Sequence, residues 1–363
     1  MRSMYTYIEQ APAACRAILD ARDERVGGLV QLFCSHPYRR LHIVASGSSY
    51  NIAMTMRDFL QEALSIEVTV GWPMSYTLYD HLQPDDTFVL CLSQSGKSTN
   101  TIAAVEKAVE QGNTVAVLTC NASAPIDVAG GNVFEYGSGT DDYYVGKGFP
   151  SSCTFLALFG IMAASARGTL DDDARDALIG ALSTEIDGMV GAFEAARAFC
   201  AAHIRELVQA RRIMTVGIGG GYGLALEGAL KLNEMTGIAA NAYEMEEFVH
   251  GPTYEIRKDH VIMLVDLGGP GHGRMMQLAQ ALHLLTDHVF VITTSEGHDG
   301  SALKLPPVCE RNSETAADAG SGLGTIRAII PFQTAAEAIC SELDMLSYNL
   351  VNFDFEQKMK TKA

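Results

Sequence analysis

Three charged residues interrupt an otherwise apolar stretch of this sequence. In GLALEGALKLNEM, Gly223 to Met235, Glu227, Lys231 and Glu234 stand among Ala, Leu and Gly. At about 100° per residue, offsets of four and seven put all three within about 60° on one face of a helix. The stripe has two readings. It is a solvated face held by a Glu-to-Lys pair worth a few tenths of a kcal/mol, or it lines a pocket where a carboxylate moves protons and an ammonium steadies developing negative charge. His250 follows in FVHGP. It either caps a turn before Pro252 or accepts and returns a proton near neutral pH.

A second chemistry sits in the first half of the chain. Gly47-Ser48-Ser49 follows LHIVAS, and Ser93-Gln94-Ser95-Gly96-Lys97-Ser98 follows FVLCL. Each turn opens a helical stretch, so free backbone N–H groups and a partial positive charge face its mouth. Hydroxyls add donors without bulk. Such turns are helix caps or a seat for one phosphate; two of them together favour the phosphate.

The elements that must carry these residues are written twice. RRLHIVASGSSYNIA (39 to 53) and RRIMTVGIGGGYGLA (211 to 225) align at an offset of 172, sharing Arg39/Arg211, Val44/Val216, Gly47/Gly219, Tyr50/Tyr222 and Ala53/Ala225. FVLCLSQSG (88 to 96) answers HVIMLVDLG (260 to 268), and TVAVLT (114 to 119) answers HVFVIT (288 to 293) with two extra residues. Buried-type strands alternating with helices such as TNTIAAVEKAVEQG predict an α/β fold: two doubly wound parallel sheets, each an α-β-α sandwich, related by internal duplication. The expected division is a first domain with an N-terminal helical segment over 1–166, a helical linker over 167–209, and a second domain with its tail over 210–363. The polar stretch 310–324 reads as a loop. At the places of Glu227 and Lys231 the first copy has Thr55 and Phe59, while Glu62 matches Glu234. Phe59 implies a packed face, which argues against surface decoration in the second copy. The second copy also lacks the serines: its turns are Gly219-Gly220-Gly221 and Gly268-Gly269, with Asp266 beside the latter.

Other classes are excluded by composition and motif. A net charge of −17 over 363 residues offers no basic face for nucleic acid or an anionic membrane. The N-terminus MRSMYTYIEQ lacks a signal-peptide core, and FLALFGIMAA (155 to 164) is too short a run to span a bilayer; a cytoplasmic protein is expected. There is no G-x-x-x-x-G-K-[ST] loop, and GIGGGYG (217 to 223) has Tyr222 where the dinucleotide fingerprint needs glycine. The eight cysteines are scattered without zinc-type spacing, so buried thiols, no metal and no cofactor are expected.

SGSSY, SQSGKSTNT, ALEGALKLNE and AYEMEEFVHGP together resemble the motifs of the sugar-isomerase (SIS) domain family. The pattern is similar to the isomerase half of glucosamine-fructose-6-phosphate aminotransferases and to phosphosugar deglycases and deaminases, over roughly residues 35 to 265. The resemblance implies a pair of SIS domains, a homodimer, and a hexose 6-phosphate substrate. It implies that Ser49, Ser93, Gln94, Ser95 and Ser98 hold the phosphate, with Ser48 in the same turn. It further implies that Glu234 moves a proton between C1 and C2, that Lys231 and Glu227 are neighbouring active-site groups, and that His250 opens the sugar ring from the other subunit.

Departures narrow the expectation. Residue 2 is arginine and only about 35 residues precede the first strand, so glutamine-dependent synthesis is not expected. VGKGFP (145 to 150) stands where the family has S-T-K-A-F-T, and Lys358, Lys360 and Lys362 in the tail are left unassigned. The expected activity is hydrolysis of the C–N bond of fructoselysine or glucoselysine 6-phosphate, giving hexose 6-phosphate and an amine. Alternatives are a glucosamine-6-phosphate deaminase, an aldose–ketose isomerase and, from another class, a non-catalytic phosphosugar sensor. Glu244, Glu246 and Glu247 are either a seat for a substrate ammonium or a solvated turn.

Overall fold

The runs of Val, Ile and Leu form strands buried on both faces, as parallel strands must be when helices cover each side. The computed structural model describes residues 3–298, 302–306, 322–345 and 353–363; residues 310–321 of the expected loop, and Cys309, lie outside them. The first sheet comprises β1 (Arg40–Ala45), β2 (Glu67–Gly71), β3 (Thr87–Leu92), β4 (Thr114–Thr119) and β5 (Asn132–Glu135), ordered β2-β1-β3-β4-β5. The second comprises β6 (Arg212–Gly217), β7 (Ala240–Glu244), β8 (His260–Asp266), β9 (Val289–Thr293) and β10 (Ala302–Lys304), ordered β7-β6-β8-β9-β10. Every pairing is parallel. Both sheets therefore share one topology, with the strand order reversing between β1 and β3 and again between β6 and β8.

The duplication extends to backbone angles. α1 (Ser48–Leu64) and α5 (Gly220–Thr236) each have 17 residues, and each is preceded by a glycine in the same unusual conformation. Gly47 has φ 57°, ψ −135° and Gly219 has φ 55°, ψ −134°. An L side chain is strained at such angles, which is why glycine ends both strand-to-helix turns.

The chain divides into two compact units, Ala13–Ser183 with Val351–Ala363, and Met1–Pro12 with Thr184–Leu350. These differ from the sequence division at both ends: residues 1–12 and 184–209 count with the second sheet, and the tail from 351 counts with the first. Besides α1, the first unit holds α2 (Thr99–Glu110) and α3 (Gly148–Ala166). At 19 residues, α3 is long and apolar enough to cross a membrane by length and composition, but it is buried at nearly every position and packs on α1 and on the helix Arg22–Cys34. An all-round apolar helix of this kind is a core helix. Phe59 and Thr55 on α1 are buried as expected.

In the second unit, α4 (Met189–Val208), α5 (Gly220–Thr236), α6 (Met245–Val249), α7 (His272–Leu282) and α8 (Ile330–Glu342) surround the sheet. α8 packs on α4 and α5. Gly228 makes the α5 contact possible: a Cβ there would stand 2.4 Å from Cδ1 of the buried Phe332. The N-terminal segment joins this unit through Glu337 of α8, which accepts from the Ser3 hydroxyl at 2.6 Å and the Met4 N–H at 3.1 Å.

Candidate active site

In the first unit both serine turns leave the carboxyl ends of β1 and β3, neighbouring strands at the point where the order reverses. Open parallel sheets bind ligands there. Asn100 ties the turns together, its Nδ2 donating to Ser46 Oγ at 2.9 Å. Ser48 and Ser49 occupy the first turn of α1, and Ser98 is the residue before α2; neither helix start has a side-chain capping hydrogen bond. Ser93 is 3% exposed, and its buried hydroxyl has no hydrogen-bond partner among the described residues. A buried unpaired hydroxyl costs about 1–3 kcal/mol, a cost that a ligand accepting from it would offset. Ser95 Oγ accepts from the Lys97 N–H at 3.2 Å.

Gln94 is held from a distance in sequence. Its Nε2 donates to Asp142 Oδ2 at 2.9 Å, and the same carboxylate accepts from the Lys147 N–H at 3.1 Å and the Gly148 N–H at 2.8 Å. Burial raises the Asp142 carboxyl above its ordinary value, and the two backbone donors oppose that rise. A Cβ at Gly148 would lie 2.5 Å from Gln94 Nε2 and 2.6 Å from Asp142 Oδ2, so the clamp needs glycine. This gives the VGKGFP segment its part, which is to fasten Gln94. Tyr144 and Val145 take positive φ there, 49° and 61°, the latter a strained value for a β-branched residue.

The tail adds a feature that spacing did not reveal. Residues 360–363 run antiparallel beside 97–99: Thr99 N–H donates to Thr361 O at 3.3 Å, Ala363 N–H donates to Lys97 O at 2.8 Å, and Thr99 Oγ1 donates to Lys360 O at 2.8 Å. Lys360 and Lys362 thus stand beside the second serine turn.

In the second unit the charged stripe is no solvated face. Glu227 and Lys231 are 0% and 1% exposed, while the Glu234 side chain keeps 34% of its surface. Lys231 Nζ lies 2.6 Å from Glu234 Oε2 and 3.3 Å from Glu227 Oε1. Burial would push the lysine pKa down, but the two carboxylates outweigh it and hold the ammonium above its ordinary value. Burial raises the Glu234 carboxyl, Lys231 opposes the rise and Glu227 adds to it. One open carboxylate poised against a buried cation can take and return a proton.

His250 follows α6 as its C-terminal cap, exposed, with its backbone N–H donating to Glu247 O at 3.1 Å. No hydrogen bond joins its ring to the stripe among the described residues. The three acidic residues before it have local duties. Glu244 caps α6 through the N–H groups of Glu246 and Glu247, and Glu246 grips Arg274 at 2.6 and 3.0 Å. The Glu247 side chain is exposed, and with Glu244 and Glu246 committed to these bonds the reading as a structural turn fits better than an ammonium seat. The seven described cysteines are free thiols, six of them buried; burial pushes Cys15 to about 11 and Cys91 to about 12. A cluster missed by spacing, Asp266, His272 and His298, lies at the end of the second sheet.

Comparison with known proteins agrees with this architecture. The SIS domain family profile matches residues 36–155 and 206–303. A glutamine–fructose-6-phosphate aminotransferase (isomerizing) of Treponema pallidum is 26% identical over 318 residues, covering 86% of this chain and 48% of the relative; the chain thus spans about half the length of that protein. Among solved structures, a provisionally named phosphosugar isomerase of Clostridium difficile superposes with a TM-score of 0.86 at 23% identity, covering 100% of this chain and 99% of the other. The C-terminal domain of glucosamine-fructose-6-phosphate aminotransferase from Francisella tularensis gives 0.81 at 21% identity, covering 93% and 95%. These structural likenesses establish the double-sheet fold.

Proposed function

The chain belongs to the SIS domain family, and from that premise we propose that it is a phosphosugar deglycase acting on a hexose 6-phosphate that carries an amine. The observation that carries the reading is the buried Lys231 between Glu227 and a partly open Glu234. A buried triad of this kind in place of apolar packing costs desolvation, and proton transfer is the chemistry its one open carboxylate suits. The unpaired Ser93 hydroxyl and the uncapped helix starts of the first unit support phosphate recognition.

In this reading the serine turns and Gln94 bind the 6-phosphate, and His250, contributed by the other subunit of a homodimer, takes the anomeric hydroxyl proton and protonates the ring oxygen. Glu234 then removes the C1 proton of the open-chain ketosamine and returns a proton to C2, leaving an imine between C1 and nitrogen. The Lys231 ammonium, fixed by two carboxylates, steadies the charge that develops on the C2 oxygen. Water adds to the imine carbon, the C–N bond breaks with its electron pair and a proton going to nitrogen, and hexose 6-phosphate and free amine leave. Glu227 keeps Lys231 charged and in place.

The test is product release from fructoselysine 6-phosphate, glucoselysine 6-phosphate, glucosamine 6-phosphate and fructose 6-phosphate, assayed for lysine, ammonia and hexose phosphate. The reading predicts lysine release from one of the first two. Ammonia from the third alone moves the assignment to a deaminase, and interconversion of fructose and glucose 6-phosphates alone moves it to an isomerase.

A further inference from the structure

The second sheet has its own reversal point, between β6 and β8, where the first sheet carries its serine turns. There the serines are gone. Asp266 ends β8, His272 opens α7 and His298 follows β9. The Asp266 side chain is 2% exposed, that of His298 5% and that of His272 31%. His272 Nδ1 lies 2.7 Å and His298 Nε2 2.6 Å from one and the same oxygen, Asp266 Oδ2. The rings stand 84° apart with centroids 5.9 Å distant, and the ligand-type atoms all fall within 4.8 Å of one another.

We propose that Asp266, His272 and His298 bind a divalent first-row transition ion at the carboxyl end of the second sheet. Two imidazoles and one carboxylate are a donor set that suits zinc and its neighbours, and three protein ligands leave positions for water or a ligand. The partly exposed edge at His272 is the way in. The carboxylate is already oriented: its other oxygen, Oδ1, accepts from the Gly268 N–H at 3.1 Å, an outer contact of the kind that fixes metal ligands. The chain leaving β9 toward His298 is held at its start, Ser295 N–H donating to Thr293 Oγ1 at 2.8 Å and Thr294 Oγ1 to Leu267 O at 3.3 Å.

Around an ion at about 2.05 Å in tetrahedral geometry, neighbouring ligand atoms are about 3.3 Å apart, so each imidazole must draw back from the carboxylate by several tenths of an ångström. His298 also lines a cavity of about 70 Å³ with Met276, His283 and Gly297, which gives that ring room. The ligands are 6 and 26 residues apart in sequence, not at zinc-motif spacing; parallel strand ends bring them together. This site does not depend on the sugar reading.

The test uses the full chain stripped with a chelator, then titrated with Zn²⁺, and with Co²⁺ as a spectroscopic probe. The expected result is one Zn²⁺ per chain, a rise in Tm on binding, and cobalt d–d bands without thiolate charge transfer. His272→Ala, at the most exposed of the three positions, should weaken binding at least about tenfold with the metal-free Tm close to that of wild type, and His298→Gln should do the same. Absence of stoichiometric uptake by the folded chain, unchanged affinity in both variants, or a thiolate band would overturn the proposal.

Discussion

Replacing Lys231 by methionine removes the cation and keeps the length of the side chain. Glu234 retains a third of its surface and can be rehydrated, whereas Glu227 is fully buried, so the loss is set by a carboxylate left in the interior without its partner. Breaking a buried ion pair from one side costs about 3–5 kcal/mol. At roughly 2–4 °C per kcal/mol for a unit of this size, the Tm should fall by roughly 6–20 °C at neutral pH. The pH dependence has a definite sign. A lysine held above its ordinary pKa contributes stability that is complete below that ordinary value, about 10.4, and is lost only as pH rises through its higher folded value. The deficit should therefore be flat between pH 7 and 10. It should shrink in acid, where the Glu234 carboxyl, raised by burial, is protonated and its pairing with Lys231 is already lost in wild type. The double variant Glu227→Gln/Lys231→Met should recover much of the lost stability, since a neutral pair strands nothing. Urea and thermal unfolding at pH 4.5, 7 and 9 measure this. A deficit under about 1 kcal/mol, or one equal at pH 4.5 and 9, would show that Lys231 does not neutralise a buried charge here.

Ser93→Ala should lower affinity for fructose 6-phosphate by about ten- to a hundredfold, the worth of one hydrogen bond to a charged group, while leaving Tm unchanged or slightly raised because an unpaired buried hydroxyl is removed; calorimetric titration and thermal unfolding together check it. Gly228→Ala should cost about 1–3 kcal/mol by overpacking, through a contact of 2.4 Å with Phe332, and Phe332→Leu in the same chain should return part of the loss in an unfolding titration. The acid limb of the pH–rate profile should lie above the ordinary glutamate value, because burial raises Glu234 and its base form is the active one. In a Lys231→Met chain with measurable turnover, that limb should move further up, because the opposing cation is gone.

The parts of the molecule that were legible in the sequence are those that repeat or follow a helical period. Gly47 and Gly219 stood out because their backbone angles, matched to within two degrees, leave little choice but glycine. Glu227, Lys231 and Glu234 stood out because one helix face groups them, and the apolar Phe59 at the place of Lys231 in the other copy pointed to a covered face, which its burial bears out. What was not legible joins residues that no local period relates. Asp142 reaches Gln94 across 48 positions, and residues 360–363 lie beside the second serine turn. Asp266, His272 and His298 meet only because parallel strands end at one edge. The acidic run before His250 could not be resolved from composition, since an N-cap, an arginine partner and an exposed side chain all look alike in sequence.

Glu234→Gln is the sharpest probe of the proposed proton transfer by Glu234, because the amide keeps the size and leaves Lys231 paired with Glu227. On whichever panel substrate wild type turns over, kcat should fall by at least about a hundredfold, the lower range for loss of a positioned acid–base group, while affinity for fructose 6-phosphate stays within about threefold of wild type (~0.65 kcal/mol). Turnover within tenfold of wild type, with binding intact, would mean that Glu234 does not carry the proton.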